Sequence, residues 1–222
     1  MEILQSSRRE FVFKAAIGGF ALLGARAAIS QNPLPIIPNA LPEAERLNAS
    51  VKVVNNYSVL SDTLSKKTKV QPSEYEQLNR QAALAKDEVG SLKTNLQSII
   101  EKAKSAGVWD NLDSLFAQQL QKVNADPAKK AHYLNWVKAN GGARSVMEDA
   151  VGQLDTIPGQ ITNDVEMIRK KQVSFDFDFI SPAYARIALW KCAVIAAVGI
   201  GATCAGCIAC GVGAVVGMAV NC

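Results

Sequence analysis

A single histidine, His132, stands in 222 residues, and that scarcity narrows the chemistry open to the chain. A zinc site of the H-E-x-x-H kind needs two histidines on one helix face, and a nucleophile–base–acid constellation here has one imidazole to run through. His132 falls on a predicted helix beside Lys129 and Lys130, the setting of a surface histidine. No carboxylates are paired in an apolar setting that would shift a pKa toward catalytic use. The expectation is a non-enzymatic protein with no catalytic residue, no metal and no cofactor. Charge of one sign is scarce as well: the net charge is +4, and Arg8, Arg9, Lys14 and Arg26 against Glu2 and Glu10 place half of it in the first 27 residues. The rest is too weakly basic for a nucleic-acid footprint. Aromatics make up 6%, and Trp109, Tyr133 and Trp136 read as core. Cysteine is absent from the first 191 residues, and charge is absent from Cys192 to Cys222.

What is present begins with an address. Ser7-Arg8-Arg9-Glu10-Phe11-Val12 precedes an uncharged run from Ala15 to Ala25, and Ala25-Arg26-Ala27 offers a small-x-small cleavage pattern. This segment resembles the twin-arginine signal S-R-R-x-F-L-K, carried by Arg8, Arg9 and Phe11, with Val12 and Phe13 departing from the last two positions. The run contains Gly18, Gly19 and Gly24 and is too short to span a bilayer. The resemblance implies export of the folded chain by the twin-arginine translocase to a periplasmic or extracellular location, where disulfides persist. Residues 1–27 are then the signal, and 28–42, with Pro33, Pro35, Pro38 and Pro42, an extended linker.

From residue 43 to 172 the period is helical, and the expected fold class is all-α, an antiparallel bundle of five or six helices. Leu47, Val51, Val54, Tyr57, Leu60 or Ser61, and Leu64 share one stripe of a first helix ending near Lys66. Ser73 and Glu76 form an S-x-x-E capping box after Pro72. Tyr75, Leu78, Ala82, Ala85, Val89, Leu92, Leu96, Ile99 and Ala103 then alternate in steps of three and four, a coiled-coil seam on a long heptad helix stopped by Gly107. The first helix folding back and a second copy of the chain both satisfy such a seam, which leaves a homo-oligomer open. Shorter helices are predicted over 111–123, 127–139 after Asp126, 143–156 and 159–171, with Gly141-Gly142 and Pro158 as breaks. Residues 173–191 read as an extended connector, because Val173, Phe175, Phe177 and Phe179 alternate with Ser174, Asp176 and Asp178.

The tail, residues 192–222, holds all five cysteines and six of the fifteen glycines, and supports three readings. As one helix it would run about 46 Å, against a hydrocarbon core of about 30 Å, with Gly213 and Gly217 as a small-xxx-small packing pair; membrane lipid is then its partner. As a disulfide framework it is symmetric about Cys207, so a helical hairpin turning there sets Cys192 opposite Cys222 and Cys204 opposite Cys210, leaving Cys207 as the free thiol. Cys204-x-x-Cys207-x-x-Cys210 also has the opening spacing of an iron–sulfur run, although the closing Cys-Pro is missing. The Gly211-x-Gly213 string lacks the preceding strand of a dinucleotide site.

A twin-arginine signal, a polar middle and a Cys/Gly/Ala-rich apolar end together resemble halocin-type bacteriocin precursors. That resemblance implies a tail released as an antimicrobial peptide, a body acting as a chaperone or immunity-like segment, and processing at Ala183-Tyr184-Ala185 or Lys170-Lys171. The sequence expectation is thus an exported helical protein held at the membrane by its tail or, alternatively, the precursor of a membrane-active peptide.

Overall fold

In a computed structural model of the chain, the structure describes residues 36–173 and 183–221, and among these every regular element is a helix. The helices are α1 (Leu41–Ser65), α2 (Pro72–Ser105), a 3-10 turn (Trp109–Asn111), α3 (Leu112–Lys122), α4 (Pro127–Ala139), α5 (Gly142–Leu154), α6 (Ile157–Val173), α7 (Ala183–Cys204) and α8 (Ile208–Asn221). The twin-arginine residues Arg8, Arg9 and Phe11, the cleavage pair Ala25 and Ala27, most of the linker and Cys222 lie outside the described residues.

The spine is the pair α1 and α2. Leu78, Ala82, Ala85, Val89, Leu92, Leu96, Ile99 and Ala103 are all buried, as the three-and-four spacing predicts, with Ile100 widening the stripe. The partner is α1 of the same chain, folded back antiparallel: Glu43 meets Lys102 at 2.6 Å, and the Ser50 hydroxyl donates to Glu88 at 2.5 Å. The predicted α1 stripe, Leu47, Val51, Val54, Tyr57, Ser61 and Leu64, is buried along this contact and against α6, where the Tyr57 hydroxyl donates to the Ile161 carbonyl at 3.2 Å.

Helix ends follow local chemistry, with two shifts from expectation. The capping box of α2 is built on Gln71 and Glu74, not Ser73 and Glu76: the Gln71 N–H donates to Glu74 at 3.0 Å. Pro72 has no N–H and a fixed φ, which suits it to the first helical position and sets the cap one residue before it. Likewise Pro158 does not break the chain but sits in the first turn of α6, and the break falls at Asp155-Thr156. Elsewhere the signals hold. Asp126 accepts from the Ala128 and Lys129 N–H groups at 2.9 and 3.1 Å to start α4, and Gly107, at φ 68, closes α2. Gly142, at φ 93, lies where a Cβ would collide with the Asp113 carboxylate; that carboxylate reaches over from α3 to accept from the Ala143 N–H at the start of α5.

The connector differs more. Residues 183–191 belong to α7, because Ala183 to Val198 contain no glycine, proline or other breaker to end the helix that the tail continues. The alternating Phe stretch, Phe175 to Phe179, lies outside the described residues.

Candidate functional site: the buried cysteine hairpin

The tail is a helical hairpin lodged in the bundle. From Cys192 to Ala205 every residue is buried, so this arm of α7 has no solvent face. A helix that is apolar on all sides is stable in water only if neighbours surround it. They do: α1 and α2 supply Leu47 and Ile99 around Gly201, and α3 and α5 pack along α7. The α8 arm is buried at Cys210, Ala214, Val215 and Met218 and packs on α4 as well as α7.

Three close approaches fix the hairpin. A Cβ at Gly199 would collide with Ala214 on α8 and with the Tyr133 hydroxyl on α4. A Cβ at Gly201 would lie 3.3 Å from Ile99, and one at Gly211 would lie 2.8 Å from the Thr203 hydroxyl and 3.2 Å from Val123. Glycine at these positions lets helix axes approach without the side-chain layer that normally separates them. Gly213 and Gly217, the pair singled out by spacing, are buried too.

The turn reverses the chain in three residues. Gly206, at φ 85, ends α7: its N–H donates to Thr203 at 3.2 Å and the Cys207 N–H to Ala202 at 2.9 Å, the paired bonds of a left-handed helix stop. The Gly211 N–H then donates back to the Cys207 carbonyl at 3.0 Å, starting α8. The hairpin thus turns where the symmetry of the cysteines predicts, yet the pairing differs. Cys207 is bonded to Cys210, with Cα atoms 5.3 Å apart, and Cys204 is the free thiol. The physical reason is local: the tight reversal sets Cys207 one turn before Cys210 at the start of α8, within ordinary disulfide reach, and leaves Cys204 in the core at the end of α7. Cys192 is disulfide-bonded, and the expected pair with Cys222 involves a residue outside the described ones.

Burial sets the electrostatics. It pushes the Cys204 thiol up to about 12, since a thiolate there would be desolvated. The Tyr133 phenol is fully buried, held well above its usual value by desolvation and then by the nearby Cys204, and donates to the Ala196 carbonyl at 2.5 Å. This side-chain hydrogen bond ties the body to the hairpin.

The hairpin is also sealed from the other end of the chain. The Ile36 and Ile37 N–H groups both donate to the Cys204 carbonyl, at 2.9 and 3.1 Å, and Ile37 and Ala40 are fully buried. Lys102 holds this segment through the Asn39 carbonyl and Glu43. Sequence reading had no signal for this seal, because it joins residues far apart in the chain, and none for Tyr133 as the residue facing Gly199.

The remaining sequence candidates are dispersed. His132 is exposed on α4, and Trp109 and Trp136 are half-buried against the core. Lys170-Lys171 lies within α6 and Ala183-Tyr184-Ala185 opens α7, so both candidate processing sites are helical and not in the extended form proteases bind. Among the described residues no group of three or more His, Cys, Asp or Glu side chains is arranged to hold a metal ion, and no helix is long and apolar enough to cross a membrane. An open groove between α2 and α6, lined by Tyr75, Asn79, Lys86, Asp87, Glu166 and Arg169, mixes both signs of charge. No protein-family model, no curated protein and no solved structure matches the chain.

Proposed function

We propose that this is an exported, non-enzymatic carrier in which α1–α6 shelter an uncharged, cysteine-bridged hairpin that is delivered to a membrane after cleavage between body and tail. One observation carries the reading. The arm from Cys192 to Ala205 is enclosed on all sides, although it is almost wholly apolar and bears no charge. Freed of the body, such a hairpin exposes a surface that water does not accept, and lipid is the available host.

Enclosure favours this reading over a standing membrane anchor, which needs those faces turned to lipid while the body folds beside them. The arms differ from a spanning helix as well: thirteen residues from Cys192 to Cys204 rise about 20 Å, short of a hydrocarbon core of about 30 Å. The twin-arginine resemblance supports the same order of events, since a route for folded chains lets the hairpin travel inside its shelter. The resemblance to bacteriocin precursors supplies the output, a membrane-active peptide.

Weighing the exported material tests the reading. A free fragment of roughly 3–4 kDa with oxidised cysteines, able to release dye from lipid vesicles, supports it. An intact exported chain that never yields the fragment, and whose tail resists protease, would falsify it.

A further inference from the structure

The hairpin carries a thiol and a disulfide in one short turn, and the packing sets their register. Thr203 lies against Gly211 across the hairpin and Gly199 against Ala214, so residues whose numbers sum to about 414 share a level. Cys204 and Cys210 are such a pair, one step nearer the turn than Thr203 and Gly211. The disulfide instead joins Cys210 to Cys207 within the start of α8 and does not tie the two helices together. Cys204 is fully buried, beneath the Ile36–Ile37 backbone that bonds to its own carbonyl.

We propose that Cys204 is a latent exchange nucleophile, and that opening of the bundle moves the disulfide from Cys207–Cys210 to Cys204–Cys210. The step balances without an oxidant. The Cys204 thiol gives its proton to solvent, the thiolate attacks the Cys210 sulfur, the Cys204–Cys210 bond forms as the Cys207–Cys210 bond breaks, and the departing Cys207 thiolate takes up a proton. One disulfide and one thiol stand on each side. Within the folded chain the step is blocked by burial, which closes Cys204 to solvent and keeps it protonated. In water an unburied thiol returns to an ordinary value near 8.5 and becomes competent. The other disulfide, at Cys192, lies twelve helical residues away, about 18 Å, and is out of reach while α7 persists.

The consequence follows the proposed release, and rests on that reading: the hairpin that leaves the body becomes a hairpin cross-linked between its helices near the tip, with a free thiol at its turn. The body would then act as a protecting group, exporting the peptide in one disulfide form and setting off conversion to another. The exchange itself needs only an open bundle, so it can be tested on the intact chain.

The mature chain is treated with N-ethylmaleimide in native buffer, then opened in urea at mildly alkaline pH, quenched with acid at successive times, alkylated with a second mass tag and mapped by mass spectrometry. The expected result is no maleimide on any tail cysteine before opening, the second tag on Cys204 at the earliest time, and transfer of most of it to Cys207 on further incubation. A Cys204→Ser chain, which keeps the Cys207–Cys210 bond but has no thiol to attack it, should take no second tag on Cys207 or Cys210. Label that stays on Cys204 throughout, or that moves to Cys210, overturns the proposal, as does Cys204 reacting in the folded chain as fast as in urea. Absence of a released fragment from exported material would sink the carrier reading and leave this outcome untouched.

Discussion

A methyl group added at Gly199 has no free space, and the consequence can be worked out. An ideal Cβ there falls inside the contact distance of both Ala214 and the Tyr133 hydroxyl. Overpacking of this kind costs about 1–3 kcal/mol, offset by up to about 1 kcal/mol from the better helix propensity of alanine, so Gly199→Ala is expected to destabilise by about 1–2 kcal/mol. Tyr133→Phe alone removes the buried bond to the Ala196 carbonyl and is expected to cost about 0.5–1.5 kcal/mol. Combined, the two interact. Without the hydroxyl, the nearest ring atom lies 3.2 Å from the new methyl, which relieves the Tyr133 side of the collision and leaves the Ala214 side unchanged. The double variant should therefore be more stable than the sum of the single losses by about 1 kcal/mol. Urea unfolding followed by far-ultraviolet circular dichroism reads all four chains. Additivity to within about 0.3–0.5 kcal/mol would refute the contact, and with it the seating of the hairpin against α4.

Other perturbations follow from the same packing. Ile99→Ala, which empties a fully buried site in the α2 seam beside Gly201, is expected to cost about 2–5 kcal/mol by urea unfolding; a loss below about 1 kcal/mol would mean that the hairpin does not rest on that seam. Gly206→Ala forces a side chain into the left-handed region at φ 85 and should lower stability by about 1–2 kcal/mol, whereas Gly152→Ala, on a helix with open space around it, should not destabilise. Burial alone would raise the Glu43 carboxyl, but the hydrogen bonds from Lys102 and Ser98, a backbone bond and the Lys102 charge hold it below 4.5. Its contribution is therefore present above the unfolded value and lost as pH falls through the folded one. Lys102→Met removes the strongest hydrogen bond and the charge that oppose burial, so acid-induced loss of stability should begin at higher pH than in the parent chain; superimposable pH profiles would contradict the pairing.

Much of the scaffold was legible because it depends on period and punctuation. The nine-residue seam of α2 is written in steps of three and four, and Gly107, Asp126-Pro127 and Gly141 act through their own backbone chemistry. The hairpin turn was legible from the symmetry of the cysteines about Cys207. What stayed hidden depends on tertiary neighbours or on competition between adjacent signals. Pro72 and Ser73 are both start signals, and the ring that cannot donate won the first helical position. Phe175 to Phe179 alternate like a strand, which drew the connector as far as Lys191, although the unbroken Ala183–Val198 run already favours helix. The disulfide followed the geometry of one turn and not the symmetry of the whole tail. Tyr133 read as core and is buried, but its contact with Gly199 and the seal made by Ile37 gave no local signal, since each is defined by what the hairpin brings to it.

The sheltered hairpin can be tested by vesicle flotation of the oxidised mature chain before and after a single cut between residues 174 and 182. The intact chain should remain below the lipid, and after the cut the hairpin fragment alone should rise with the vesicles while the body stays behind. An intact chain that floats, or a cut hairpin that never leaves the body when vesicles are present, would contradict the shelter and the delivery it is proposed to serve.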